Sequence, residues 1–169
     1  MGYIKDIKFL LLASTVIFGL AFFFGFLTGD YLHLVDHKRN LNPPIPGLEL
    51  AIKLFTNNVI ICLVLISGIF MFGLPTIFLL LFNGFFLGVG VKSLILIGLD
   101  RTEIFLKLFP HGILEIPALL LSASVGFLGI TFYFYPKKKY LKTMFKLMIL
   151  VVFLVFVAAI IEGFITVTL

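Results

Sequence analysis

Residues 54–91 read LFTNNVIICLVLISGIFMFGLPTIFLLLFNGFFLGVGV, 38 residues between Lys53 and Lys92 without one charged side chain. As a single helix the run would be about 57 Å long at 1.5 Å per residue, nearly twice a hydrocarbon core of about 30 Å. Phe72-Gly73-Leu74-Pro75-Thr76 offers the break. Glycine ends a helix readily in a left-handed turn, and proline two positions later suits the first turn of the next. The stretch therefore predicts two membrane spans joined by a tight turn, about 54–73 and 75–92.

The same reasoning extends in both directions. Phe9 to Gly29 is a charge-free window closed by Asp30, too long and unbroken for a signal-peptide core. Leu108 to Pro136 carries one acid, Glu115, and Leu147 to Leu169 carries one, Glu162. Five spans result, near 9–30, 54–73, 75–92, 110–134 and 147–168. Leu48–Phe55 and Glu103–Phe109 read as short amphipathic helices on the membrane interface before spans two and four. They repeat a pattern: Glu49, Lys53, Leu54 and Phe55 match Glu103, Lys107, Leu108 and Phe109 without a gap. The expected fold is an all-α polytopic membrane protein, a single transmembrane domain over 1–169.

Composition agrees. Of 169 residues 62% are apolar and 12% charged, with 22 Phe and no Trp; soluble domains average about 45–50% apolar and about 25% charged. The lipid bilayer is thus the first partner, and a nucleic-acid-binding face has no soluble fold to carry it. Lone Cys62 excludes an internal disulfide and reads, with the Met residues, as packing filler. Lys137, Lys138, Lys139, Lys142 and Lys146 cluster between the last two spans. By the positive-inside bias they put the N-terminus in the cytoplasm and the C-terminus outside. Gly25/Gly29, Gly84/Gly88, Ser122/Gly126 and Ala159/Gly163 are small-xxx-small pairs that let helix backbones approach. Internal packing is the reading to expect of them before a dimer face.

Six polar residues fall where hydrocarbon should be: Asn57, Asn58, Asn83, His111, Glu115 and Glu162. An ionisable group there costs at least about 2.5 kcal/mol, so each needs a partner or a purpose. Helical rise puts Asn57, Asn58 and Glu115 roughly 5–7 Å below the outer surface and Glu162 about 8 Å below it. Asn83 lies nearer the midplane. These residues are expected to meet as one polar cluster. Asn57 and Asn58 can be explained by hydrogen bonding between helices, and Glu115 by the dipole of a helix N-terminus. Glu162, in the C-terminal half of its helix, has no such explanation. His111, Glu115 and Glu162 supply enough donors for three ligands of zinc or another divalent cation. The same groups could instead share a proton or line a water-filled vestibule. No H-E-x-x-H, G-x-S-x-G, phosphate loop or dinucleotide fingerprint occurs.

Taken in order, Asn57-Asn58, Phe72-Gly73 with Thr76, Asn83-Gly84 with Gly88, Pro110-His111-Gly112 with Glu115, Ala118 and Gly126, and Glu162-Gly163-Phe164-Ile165-Thr166 resemble the stage II sporulation protein M family. The resemblance covers about 57–166. It implies a multi-span protein without a soluble catalytic domain, which in spore formers scaffolds a complex that remodels peptidoglycan during engulfment. The partners there do the wall chemistry. The expected function is therefore non-enzymatic scaffolding with membrane-protein partners or a second copy. Two alternatives stand beside it: a small ion, proton or solute transporter or channel with an outer polar site, and an intramembrane metal-dependent hydrolase.

Overall fold

Gly73 adopts φ 81° and Phe72 φ 52°, and together they reverse the chain where the sequence offered a break. The computed structural model of the protein describes residues 2–32, 45–132 and 138–165. Its helices are α1 (Gly2–Leu32), α2 (Leu48–Ser67), α3 (Leu74–Leu96), α4 (Arg101–Phe127), the single turn α5 (Gly129–Phe132) and α6 (Lys138–Phe164). A 3-10 turn, Gly68–Phe70, closes α2, and Pro75 sits in the first turn of α3. The Pro-rich segment up to Pro44, residues 133–137 and Thr166 lie outside the described residues, as do the side chains of Lys107, His111 and Lys138–Tyr140.

Among the described residues, Ile7–Leu32, Leu48–Phe70, Leu74–Leu96 and Leu141–Phe164 are each long and apolar enough to cross a membrane. A fifth crossing is available if α4 counts as one broken span, since Arg101–Pro110 and Gly112–Phe127 meet at 52°. The protein is an all-α, multi-pass membrane protein. The two interfacial segments behave differently. Leu48–Phe55 runs straight on within α2, whereas the segment ending at Phe109 is set at an angle to the span that follows. In the matching register Thr56 stands opposite Pro110. Proline removes an N–H from the helical ladder and its ring crowds the carbonyl four residues back, so only the second copy bends.

Helix α4 also begins well before Pro110, because Asp100 caps it. The Asp100 carboxylate accepts from the Thr102 amide, and Glu103 Oε2 accepts from the Asp100 amide at 3.0 Å, a reciprocal capping box. The Arg101 and Thr102 amides hold the Asp100 carboxyl below the usual carboxylate range. A depressed native pKa contributes stability above the unfolded value of about 3.9, and that stability disappears as pH falls through the lower native value. Exchange protection of the Thr102 amide, corrected for intrinsic rates, is therefore expected to hold down to about pH 4 and to fail only in stronger acid. Asp100→Asn, which caps without titrating, should flatten that profile. Loss of wild-type protection already at about pH 6 would contradict the cap.

The small residues are spent on helix crossings inside the chain. Helix α1 packs along α3, and a Cβ on Gly84 would stand 2.7 Å from the Phe18 carbonyl oxygen. One on Gly88 would fall on the Phe22 carbonyl and the Phe26 amide, and one on Gly25 on the Phe85 carbonyl. At one end of this pair Lys92 meets Asp30 at 3.2 Å and lies 5.3 Å from the Phe26 ring centroid. Gly126 backs onto the Leu65 carbonyl and Thr76, whose hydroxyl donates to Leu65 O at 2.7 Å and is fully buried. Gly163 rests on Ala51, with the Gly47 amide donating to Gly163 O at 3.0 Å, and so joins the start of α2 to the end of α6. Between these crossings Leu65, Leu80, Val89, Ala118, Val151 and Val155 form the dry interior. The expectation of internal packing for the small pairs holds at Gly25, Gly84, Gly88, Gly126 and Gly163.

Candidate functional site

A cavity of about 680 Å³ opens between α1, α2, α3 and α4, with Val155 of α6 on its wall. Most of its lining is hydrocarbon, including Phe18, Leu87, Ile104, Phe105 and Phe109. Three of the six polar residues flagged by hydropathy line it: Asn58, Asn83 and Glu115. Pockets of this size and character hold small molecules, with apolar walls for affinity and a few polar groups for orientation.

Each polar residue is held by its helix. Asn58 projects from α2, and its Nδ2 donates to Glu115 Oε1 on α4. Asn83 on α3 donates through Nδ2 to the Leu79 carbonyl one turn back, at 2.7 Å. Among the described residues no donor reaches the remaining Glu115 oxygen, Asn58 Oδ1 or Asn83 Oδ1. Three helices thus each bring to the cavity wall a residue with an acceptor oxygen that no described donor reaches. Glu162 on α6 is close enough to Glu115 for their charges to interact, although it does not line the cavity.

The expected cluster is only partly assembled. Asn58 and Glu115 meet directly, Asn83 shares their cavity, and Glu162 is their electrostatic neighbour. Asn57 is exposed and lines no part of the cavity. The reason is helical geometry: consecutive residues point about 100° apart, so equal depth does not give Asn57 and Asn58 a common face. The side chain of His111 lies outside the described residues, and with it the three-ligand set of His111, Glu115 and Glu162. Among the described residues no group of three His, Cys, Asp or Glu side chains is arranged to hold a metal.

Arg101 is not among the polar residues that hydropathy singles out, but the structure makes it a cavity residue. Helical spacing could have found it. Arg101, Ile104, Phe105, Leu108, Gly112 and Glu115 recur at three- and four-residue intervals and all line the cavity, a stripe along α4 with a cation at its head. Cys62, read as filler, is buried in the same wall.

Residues 14–167 match the family Stage II sporulation protein M. The chain is 33% identical over 169 residues to the uncharacterized protein MJ0793 of Methanocaldococcus jannaschii, across 94% of this chain and 94% of that protein. It is also 34% identical over 146 residues to the uncharacterized protein MJ0706 of the same organism, across 79% of this chain and 63% of that one. No solved structure matches the chain. With the match running over nearly all of its helical bundle, the chain belongs to the stage II sporulation protein M family.

Proposed function

We propose that the protein is a non-enzymatic membrane scaffold, a bundle that holds other membrane proteins in a complex. One observation carries this reading. Five of the residues by which the chain resembles its family fix helix to helix: Thr76 on the Leu65 carbonyl, Gly84 and Gly88 on the backbone of α1, Gly126 on α2 and Gly163 on Ala51. What these five residues hold together is a frame. In the proposed orientation the N-terminus is cytoplasmic and the C-terminus outside, which puts the 137–146 lysine cluster against the inner leaflet. Purification from native membranes in mild detergent is expected to recover a stable stoichiometric partner. Repeated recovery of the protein alone, including after cross-linking in intact membranes, would remove the reading.

The cavity favours a second reading, passage of a small cation, proton or solute through the membrane. Glu115 and Glu162 are then the groups on which flux depends. Proteoliposomes should show a cation or proton flux above empty vesicles, reduced at least tenfold by Glu162→Gln. Equal flux in wild type and variant would eliminate it.

A further inference from the structure

We infer that the cavity is a binding site for a lipophilic organic cation, a molecule with an apolar body and one ammonium group. The inference depends on neither reading above, because binding is measured at equilibrium, without a partner protein and without a gradient.

Three features select this class. The first is the set of oxygens. Glu115, Asn58 and Asn83 each keep one oxygen without a donor among the described residues, on three different helices around one space. An ammonium carries up to three N–H donors and no acceptor, which complements such a set. The second is charge. Glu115 has Glu162 as a neighbour, and among the described residues no lysine or arginine pairs with it. A carboxylate in hydrocarbon without a counter-ion is costly, and a bound cation supplies that counter-ion. Arg101, the only cation on the lining among the described residues, is fourteen residues back along α4, about 21 Å of helix before the bend is counted. At that separation it does not pair with Glu115, and the neighbouring carboxyl groups of Glu115 and Glu162 disfavour an anionic occupant there.

The third feature separates an organic cation from an inorganic one. Calcium takes six to eight oxygens, and magnesium an octahedral shell that includes several waters. A space of about 680 Å³ with side-chain oxygens on three residues and hydrocarbon elsewhere does not wrap so small an ion. It suits an apolar body that displaces water from Phe18, Leu87, Ile104, Phe105, Leu108 and Phe109.

The test uses the full chain in nanodiscs of zwitterionic lipid and dansylcadaverine, a primary ammonium on an apolar fluorophore. Its N-acetyl derivative, neutral but otherwise alike, is the comparison, and fluorescence anisotropy is the readout. Saturable binding of the ammonium at least tenfold tighter than the acetylated probe is expected. Glu115→Gln, which keeps an acceptor for Asn58, should weaken the ammonium at least tenfold and leave the acetylated probe within about twofold. Leu87→Trp should weaken both by intruding on the cavity wall. Should Glu115→Gln elute as aggregate, Asn83→Leu takes its place, since it removes an acceptor without touching the Asn58–Glu115 bond; a threefold or greater loss is then expected. Equal affinity for the two probes would overturn the inference, as would ammonium binding indifferent to Leu87→Trp.

Discussion

Gly88→Leu is expected to stop the bundle from forming, giving aggregated or degraded protein in place of a monodisperse detergent peak. The side chain of residue 88 would have to occupy the Phe22 carbonyl and the Phe26 amide of α1. Ordinary overpacking costs about 1–3 kcal/mol because neighbouring side chains turn aside. Here the obstacle is helix backbone, which can give way only if α1 and α3 separate. Separation would take with it the Gly84–Phe18 and Gly25–Phe85 contacts on the same crossing. The effect should therefore lie at or above the top of that range. Gly19→Leu and Gly90→Leu are the controls, because a Cβ at either glycine meets nothing within 4 Å. They should be neutral or stabilising by up to about 1 kcal/mol, the helical gain on replacing glycine. Yield, elution profile and melting midpoint of the three variants give the answer. A well-behaved Gly88→Leu protein would mean that α1 and α3 do not cross as described.

The second large effect is a failure of additivity. Asn58→Leu leaves Glu115 without its hydrogen-bond donor, and Glu115→Leu leaves the Asn58 amide without its acceptor. Each single change should destabilise by roughly 1–2 kcal/mol, between the modest mean for hydrogen bonds in membranes and the larger values for charged partners. The double change removes both polar groups and gives α2 and α4 two leucines in place of a polar pair. It should recover much of the loss, because an apolar replacement of a paired polar contact is often neutral or better. Denaturant unfolding of the four proteins measures the coupling as a double-mutant cycle. Strictly additive losses would show that the pair contributes nothing as a pair.

Some of this architecture could be read along the chain because it depends on near neighbours. Gly73 and Pro75 reverse the backbone through their own conformational preferences, and no distant partner is needed to see it. Asn58 and Glu115 could be flagged because amide and carboxyl groups in hydrocarbon demand an explanation wherever the helices go. What stayed hidden depends on which helix meets which. Gly84 and Gly88 announce a close approach, but nothing in their spacing says that the approaching backbone is α1. Depth alone grouped Asn57 with Asn58, although the helical turn between them sends one to the surface and the other to the cavity. Arg101 was invisible as a site residue for the opposite reason: a charge at the edge of a membrane needs no explanation, so it prompted none. The two interfacial segments looked alike by composition, and a single position, Thr56 against Pro110, decided which of them bends.

The pairing of α1 with α3 has a consequence for how the chain is made. Translation delivers α1 first, with its glycine face and Asp30, but the helix that covers that face is two elements away. Asp30 waits for Lys92, some sixty residues of synthesis later. The start of α2 waits longer still, since Gly47 and Ala51 are matched only when Gly163 emerges near the end of the chain. Assembly in the bilayer thus leaves places on the early helices that only later ones can fill. A stop codon before α6 leaves the opening end of α2 without the helix that seats it.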